Sequence, residues 1–185
     1  TNYLNQAFDS NTIVVTAMSE VAATLIGGRT VHSAVHLNKR LENIPRSAVE
    51  DWKSTKMLIV DEVSFASKQD IQRLETRVRH LKDNRDKHYG NIDVIFCGDM
   101  RQLEPVTKSA IKIYESQFME FHGMINCYIE LEGQHRFKDD PEWGLLLTRY
   151  RDGKLTEKDI DIINTRHITD QIHIPDNISY ATYTN

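Results

Sequence analysis

The chain has 185 residues, 39% of them hydrophobic and 27% charged, and a formal net charge of −4 at pH 7. This length is typical of one domain, or of one domain and part of a second, and it can build a core without disulfides or a structural metal. Cys97 and Cys127 are the only cysteines, which excludes a disulfide-rich secreted scaffold. No apolar run approaches the roughly 18 residues of a membrane helix, so no membrane partner is expected. The net charge alone does not indicate a nucleic-acid partner.

Four short apolar runs predict β-strands, at residues 13–16, 57–60, 93–97 and 127–131. Because these runs are nearly continuous, they favour strands covered on both faces, as in a parallel sheet. Helical patterns lie between them, and this alternation is typical of a doubly wound α/β fold. Residues 36–56 have the weakest periodicity and are interpreted as a connection or small insertion between two strands.

Three further segments predict helices. Residues 67–84 carry apolar side chains three and four positions apart, with charged residues on the other face. Residues 140–153 run from an Asp-Pro pair, typical of a helix N-terminus, to a glycine typical of a C-terminus. Thr156 and Asp159 have the spacing of a capping box, which predicts a third helix directly after them.

Two acidic residues, Asp61 and Glu62, directly follow the second predicted strand. In open α/β sheets ligands bind at the carboxyl ends of the strands, where a metal–nucleotide complex would meet these carboxylates. An Asp there can hold Mg²⁺, and a neighbouring Glu can orient or deprotonate an attacking water. The alternative is that the two acids are the N-cap and a first-turn acid of the following helix.

A second polar cluster, residues 98–106, follows the third predicted strand. Since both clusters lie at strand exits, we expect them to meet in one crevice. The amide of Gln102 can donate to a phosphate oxygen or to an attacking water, and can change partner when the phosphate leaves. The alternative for Gly98 and Asp99 is a turn, which they are also expected to form.

Small and hydroxylated residues follow the first predicted strand. Thr16 lies near its end, and the paired glycines at residues 27–28 suit close backbone approach to a phosphodiester strand. Thr30, His32 and Ser33 come next, and the histidine can stack on a base or donate to a phosphate. The alternative is a tight turn with a satisfied polar histidine.

Cationic residues have several possible roles. Arg136 follows the fourth predicted strand, and an arginine at a domain junction can reach a γ-phosphate as an arginine finger; the alternative is a solvated surface charge. Local basic tracks are possible around residues 39–53 and on the predicted helix. The helical set is interleaved with Asp and Glu, which favours a solvated face, and it comprises Arg73, Arg77, Arg79, Lys82, Arg85 and Lys87.

Taken in order, these blocks resemble the motifs of Pif1-type DNA helicases, which are superfamily-one motors. VVTAMSEVAA and GGRTVHSA resemble the family's single-strand-contacting block, and LIVDEVSF resembles its Walker B block. Residues 74–90 followed by NIDVIFCGDMRQLEPV are similar to its signature segment and sensor block. LEGQHRFKDD followed by LLLTRYRDGKLTEKDIDIINTR resembles the arginine block that opens a second motor domain.

The resemblance implies an α/β fold of the RecA-like P-loop NTPase type, built on a parallel sheet. A first lobe is expected over residues 1–132, with a small strand-separating wedge at residues 35–56. The beginning of a second RecA-like lobe is expected over residues 133–185.

Site residues and ligands are also implied by the resemblance, with ATP and Mg²⁺ as cofactors. Asp61 would hold the Mg²⁺, and Glu62 would be the catalytic acid–base residue. Gln102 would sense the γ-phosphate, and Arg136 would be the arginine finger. The residues implied in DNA contact are Thr16, Met18, Thr30, His32 and Ser33.

A protein of this family would couple ATP hydrolysis to 5′-to-3′ movement on single-stranded DNA and would unwind a forked duplex. The resemblance implies a monomer in the nucleus or mitochondrion and processes such as DNA repair, recombination and telomere maintenance. The runs RYRDGKLTEKDI and CGDMRQL lean toward helicases carried by eukaryotic mobile elements.

The sequence departs from the family pattern in several places. It contains no G-x-x-x-x-G-K-[ST] phosphate-binding loop. We expect a partial chain, inactive alone, whose loop lies upstream of Thr1 and whose residues 3–8 end the helix after that loop. Glu20 stands where the family usually has a glycine, and Glu104 where it usually has a proline. The alternative function is a non-catalytic mobile-element remnant that binds single-stranded nucleic acid or a protein; a different P-loop enzyme, such as a kinase, ranks below it.

Overall fold

The computed structural model describes residues 12–106, 110–115, 123–133 and 135–167. The chain divides into two compact units, Thr1–Ile129 and Glu130–Asn185. The assignment of two motor lobes that meet near residue 133 stays a prediction. The expected helix remainder at residues 3–8 lies outside the described residues.

The first unit is built on a four-stranded parallel sheet with the strand order β2-β1-β3-β4. In the central register, Val15 of β1 pairs with Ile59 of β3, and Ile59 pairs in turn with Ile95 of β4. Three of the four predicted strands are thereby confirmed, and the very short β2 is additional. The strands are β1 (Ile13–Ala17), β2 (Arg29–Thr30), β3 (Met57–Asp61) and β4 (Asp93–Phe96).

The prediction of a strand at residues 127–131 is wrong. Within the described part of the chain these residues form no ladder, and Ile129 and Leu131 are 76% and 91% exposed. An apolar run predicts a strand only if a neighbouring strand offers backbone groups to pair with it. Here the run lies at the junction between the two compact units, where no described strand supplies that partner.

Within the described residues of the first unit we name four α-helices, and the longest of them follows the predicted pattern. Ser67 and Asp70 form a capping box at its N-terminus, and its apolar stripe is buried against the sheet. It ends three residues earlier than predicted, with Lys82 as its C-cap. The helices are α1 (Glu20–Leu25), α2 (Val31–Ala34), α3 (Arg46–Lys53) and α4 (Lys68–Leu81).

Helix α3 lies inside the stretch that the sequence presents as an irregular connection. Its Ala48 and Trp52 are buried together with Ile44, and these side chains join the core cluster that includes Leu58 and Leu74. The stretch between β2 and β3 is therefore partly a component of the core. Whether it also separates DNA strands stays a prediction.

Lys82, the C-cap of α4, and Arg77 within it hold this stretch in place, which corrects the prediction of a solvated face for these two cations. Arg85 and Lys87 are exposed, as that prediction expects. The Lys82 ammonium donates to the carbonyls of Trp52 (3.0 Å), Lys53 (2.8 Å) and Thr55 (2.8 Å), around the C-terminus of α3. Arg77 is buried and donates to the Lys39 carbonyl. Burial lowers the pKa of both cations, as expected for charges removed from water. The charge pattern missed this because the partners are far away in sequence.

Residues 135–167 of the second unit form two capped helices, α5 (Pro141–Arg151) and α6 (Glu157–Asn164), and both confirm their predictions. Asp159 is buried and accepts hydrogen bonds from Arg149 Nε (2.7 Å) and from Thr156 N (2.9 Å). The hydrogen bond from Arg149, followed by that from Thr156, holds the pKa of Asp159 well below its usual range. Throughout the described ranges, every helix is too short or too polar to cross a membrane.

Candidate functional site

The parallel register brings the carboxyl ends of the strands to one edge of the sheet. Ala17 of β1 lies opposite both Thr30 of β2 and Asp61 of β3. Backbone hydrogen bonds continue past the strand ends, from Met18 N to the Asp61 carbonyl (3.0 Å) and from Cys97 N to the Val60 carbonyl (2.8 Å). The chain segments that leave β1, β3 and β4 therefore lie side by side at this edge.

Asp61 and Glu62 occupy the exit of β3 and are both half-buried. The Asp61 carboxylate accepts a hydrogen bond from Glu62 N (2.9 Å), and Glu62 has a left-handed backbone with φ 55° and ψ 41°. Part of the alternative holds, because Glu62 stands at the N-cap position of the short 3₁₀ helix Val63–Phe65, but its side chain makes no capping hydrogen bond. The next α-helix, α4, begins later and is capped by Ser67. Left-handed geometry costs a residue with a side chain about 1–2 kcal/mol, so the surrounding structure must hold Glu62 in place.

The exit of β4 packs closely against the segment that holds Glu62. Val63 N donates to the Cys97 carbonyl (2.9 Å), and a Cβ on Gly98 would lie 3.0 Å from Val63 N. Burial raises the pKa of the Cys97 thiol, and the nearby Asp61 carboxylate raises it further. The structure thus brings the exits of β3 and β4 together, as the sequence predicts.

Gln102 lies in the turn that follows β4. Its backbone N donates to the Asp99 carbonyl (2.9 Å), and its side-chain amide lies 3.4 Å from the Asp99 carboxylate. The same carboxylate accepts a hydrogen bond from Arg101 N (3.0 Å), which confirms the predicted turn. Gln102 is exposed, so its amide can leave Asp99 for another partner.

The donor set of this edge fits Mg²⁺. The Asp61 and Glu62 carboxylates are hard oxygen ligands, and Mg²⁺ typically takes one or two protein carboxylates and completes its shell with phosphate oxygens and water. Among the residues that the structure describes, no group of three or more His, Cys, Asp or Glu side chains is placed to hold a metal ion.

The predicted DNA contact of Thr16 is wrong. The residue is fully buried, and its hydroxyl donates to the Ile59 carbonyl of the neighbouring strand (2.6 Å). A DNA strand cannot reach a side chain inside the sheet, so this hydroxyl links β1 to β3. Met18, just past the end of β1, is half-buried and packs against both apolar clusters of the unit.

The other three candidate DNA contacts lie around the start of α2. The Thr30 hydroxyl caps this helix by accepting a hydrogen bond from Ser33 N (3.2 Å), and the side chains of His32 and Ser33 are exposed. The glycine pair before them is needed, because a Cβ on Gly28 would lie 2.5 Å from the Val15 carbonyl oxygen. Exposed polar side chains therefore stand beside a segment that lies directly against the sheet.

Sequence reasoning missed a cationic group next to these residues. His36 has a left-handed backbone (φ 54°), and burial lowers its pKa, with further lowering by the charges of Lys39, Arg29 and Arg77. Of these three cations, Arg29 lies outside both basic tracks that the sequence suggests. These three cations come from separate parts of the chain, so no simple spacing in the sequence reveals that their charges act on His36.

Arg136 belongs to the second unit, where it is exposed and lies in a turn. The candidate site therefore consists of residues of the first unit. These are Asp61, Glu62 and Gln102 at the exits of β3 and β4, and Thr30, His32 and Ser33 at the start of α2.

An open parallel sheet whose neighbouring strand exits carry a carboxylate pair and a polar turn is the architecture of nucleotide-binding α/β proteins. A sequence model of the family described as PIF1-like helicase matches residues 2–131. The chain therefore belongs to the PIF1-like helicase family. The resemblance of the motifs and the predicted α/β fold with a parallel sheet are both confirmed.

Known relatives agree with this assignment. The chain is 34% identical over 152 residues to the ATP-dependent DNA helicase PIF1 of Danio rerio and 30% identical over 173 residues to RRM3 of Saccharomyces cerevisiae. These alignments cover 77% and 87% of this chain, but only 24% and 21% of the two relatives. The chain thus spans about a quarter or less of their length.

Solved structures share the fold. The crystal structure of the Pif1 helicase from Candida albicans matches with a TM-score of 0.77 and 27% identity, over 98% of this chain and 43% of that one. The Bacteroides Pif1 helicase in complex with ADP-AlF3 and ssDNA matches with a TM-score of 0.69 and 24% identity, over 90% of this chain and 43% of that one.

Proposed function

We propose that this chain is part of an ATP-dependent DNA helicase that moves 5′-to-3′ on single-stranded DNA. The observation that carries the proposal is the juxtaposition of the Asp61–Glu62 pair with the Gln102 turn at one sheet edge, in a chain of the PIF1-like helicase family. Named relatives are ATP-dependent DNA helicases, and one structure with the same fold holds ADP-AlF3 and ssDNA.

The β3 exit would hold the metal and the attacking water. Mg²⁺–ATP, when bound, supplies the phosphoanhydride bond that is cleaved. The Asp61 carboxylate would hold the Mg²⁺, and its hydrogen bond from Glu62 N fixes the direction of the adjacent backbone. Glu62 would accept a proton from the attacking water, a role that typically contributes about 10²- to 10⁴-fold to the rate. Its left-handed backbone is a strained arrangement of the kind found at functional sites.

The β4 exit would supply a group that responds to the phosphate. The Gln102 amide, which lies near Asp99 in this structure, would turn to donate to a phosphate oxygen or to the water. Arg136 is exposed and would act as the arginine finger, where positive charge stabilises negative charge that develops on the phosphate.

We propose that the single strand contacts His32 and Ser33, which are exposed beside the cap formed by Thr30. Stacking on His32 and contacts to phosphate would give binding without sequence preference. The same family assignment leads us to propose a forked duplex as substrate, a monomeric state, and action in the nucleus or mitochondrion. Light scattering and cell fractionation test the last two.

The test of the proposed function is Glu62→Gln in the whole protein that contains this chain. We expect DNA-stimulated ATP hydrolysis to fall by about 10²- to 10⁴-fold while nucleotide affinity is retained, because the amide keeps the shape of the side chain but cannot take the proton. Glu50→Gln, at an exposed acid on α3, is the matched control and should hydrolyse ATP normally.

Normal turnover in Glu62→Gln would disprove the assignment of the catalytic residue. A whole protein that binds single-stranded DNA but hydrolyses no ATP even with the native Glu62 would instead support a non-catalytic binding protein.

A further inference from the structure

Glu104 forms an ion pair that links the Gln102 turn to another segment. The Lys112 ammonium lies 2.5 Å from Glu104 Oε1, and the Tyr114 hydroxyl donates to the same oxygen (3.2 Å). The Lys112 ammonium also lies 5.8 Å from the centre of the Tyr114 ring. The hydrogen bond with Lys112 lowers the pKa of Glu104, and the same bond raises the pKa of Lys112. The carboxylate thus has two donors from one short segment.

That segment is anchored on the connection between β3 and α4. Lys112 forms an antiparallel bridge with Ser67, and Lys68 N donates to the Ile111 carbonyl (2.8 Å). Ile113 is buried in the apolar cluster that contains Val63. Since Val63 directly follows Glu62, Lys112 is fixed relative to the exit of β3.

The turn that carries Gln102 is therefore held at both of its ends. At its start, the Cys97 carbonyl accepts a hydrogen bond from Val63 N (2.9 Å). At its end, Glu104 contacts Lys112, which is itself bridged to the β3–α4 connection. Gln102 lies two residues before this second attachment, and the second attachment limits the conformations that the turn can adopt.

We propose that Glu104 is a positioning residue: its ion pair with Lys112 holds the turn that carries Gln102 next to the exit of β3, from where the Gln102 side-chain amide can leave Asp99 for a ligand. This inference rests on the proposed role of Gln102. A proline at position 104 would fix φ and would also restrict the residue before it. In this chain an ion pair performs the restriction that a proline ring performs covalently.

The first test is amide hydrogen exchange of the intact chain. The backbone N–H of Gln102 donates to the Asp99 carbonyl, so the exchange rate of this backbone amide reports opening of the turn. We expect Glu104→Gln to exchange about two- to fivefold faster at this amide in low salt, the size of effect that exposed ion pairs produce. In 1 M salt, where screening acts within about 3 Å, the wild-type chain should approach the rate of the variant.

Two further variants sharpen this test. Glu115→Gln is the control. It removes a carboxylate three residues from Lys112 that does not contribute to the raised pKa of that lysine. In this variant the backbone amide of Gln102 should exchange at the wild-type rate. Glu104→Pro combined with Lys112→Met replaces the ion pair by a proline and should restore slow exchange at both salt concentrations. Equal exchange in wild type and Glu104→Gln at low salt would overturn the proposal.

The second test separates this inference from the proposed function, and it uses ATP hydrolysis by the whole protein. We expect Gln102→Ala to lower kcat strongly, and Glu104→Gln to lower kcat by about two- to fivefold with little change in KM and only at low salt. Unchanged hydrolysis in Gln102→Ala would overturn the sensor role of Gln102 whatever the exchange rates show. A reduced kcat in Gln102→Ala with an unchanged kcat in Glu104→Gln would overturn the positioning role alone.

Discussion

Two charged regions of the first unit differ in how their side chains are used. At the C-cap of α4, the Lys82 ammonium donates to three carbonyls within 3.0 Å, and Arg77 within α4 is only 8% exposed while it bonds to the Lys39 carbonyl. At the strand exits, Glu62 is half-buried in a strained backbone conformation, and Gln102 is exposed with its amide 3.4 Å from Asp99. The first region uses charge to hold two segments together, whereas the second directs polar groups toward an open edge.

The difference shows that residue type alone does not assign a role to a charged side chain. A cation whose donors are taken by carbonyls of its own chain is a structural element, because a ligand would have to replace those bonds. A polar group at the edge of the sheet with weak local bonds can exchange them for a ligand at little cost. Burial and hydrogen-bond partners therefore separate the two regions where the sequence shows similar charge patterns.

The largest effect is expected for Trp52→Ala, which tests whether the stretch around α3 belongs to the core. Trp52 is 3% exposed, so its truncation should lower the free energy of unfolding of the first unit by about 3–5 kcal/mol. Native-state hydrogen exchange at the β3 amides measures this unit by itself. The control is Leu25→Ala on α1, where an 82% exposed side chain should change stability by less than about 0.5 kcal/mol. Similar values for the two variants would place α3 outside the core.

Lys82→Met should have the next largest effect. It removes hydrogen bonds from a charged donor to three carbonyls, and we expect a loss of about 2 kcal/mol in the same exchange measurement. Lys53→Met is the matched control, because that lysine is exposed and its ammonium pairs with the exposed Glu50 on its own helix. Its loss should stay below about 0.5 kcal/mol. Equal losses of stability in Lys82→Met and Lys53→Met would mean that the Lys82 ammonium is solvated like that of Lys53.

The elements that local pattern defines were predictable from the sequence. α4, α5 and α6 show their caps and apolar spacing within a few residues, and β1, β3 and β4 are continuous apolar runs. The run at 127–131 failed because a strand needs a pairing partner, which its own composition does not reveal. The short α3 was missed since its order comes from the burial of Trp52, and not from a long periodic pattern.

The grouping of the candidate site residues was predictable from the sequence, but their burial and backbone conformation were not. Parallel topology alone brings residues that follow neighbouring strands to one edge, so the order of strands and polar residues along the chain suffices to group Asp61, Glu62 and Gln102. The burial of Thr16 was not predictable, because a strand end does not show which side chain turns inward. Nor does sequence reveal the left-handed backbone of Glu62 or the contact of Glu104 with Lys112, which both depend on residues from other segments.

A third prediction compares His32 and Thr16 in the whole protein, because the sequence implies both residues in DNA contact. His32→Ala should weaken binding of single-stranded DNA by about 5- to 150-fold, the range expected for loss of one stacked base, with stability unchanged. Thr16→Val should leave DNA affinity unchanged and cost about 1 kcal/mol of stability, because it removes only the hydrogen bond to Ile59. Fluorescence anisotropy with a labelled oligonucleotide measures the affinities. Weaker DNA binding in Thr16→Val would contradict the structural role of its hydroxyl.

The smallest effect concerns the backbone of Glu62. In left-handed geometry glycine is favoured over alanine, so Glu62→Gly should be about 1 kcal/mol more stable than Glu62→Ala. At Glu50, an exposed position in α3, the order should be reversed by about the same amount, because glycine destabilises a helix relative to alanine. Hydrogen exchange at the β3 amides measures both pairs.

The comparison at Glu62 separates strain from the chemistry of its carboxylate, since both variants remove the acid. If Glu62→Gly is more stable than Glu62→Ala and hydrolyses no ATP, the chain retains a destabilising side chain at the strand exit for its function. If the alanine variant were the more stable at both positions, the left-handed conformation of Glu62 would store no strain, and its role would rest on the carboxylate alone.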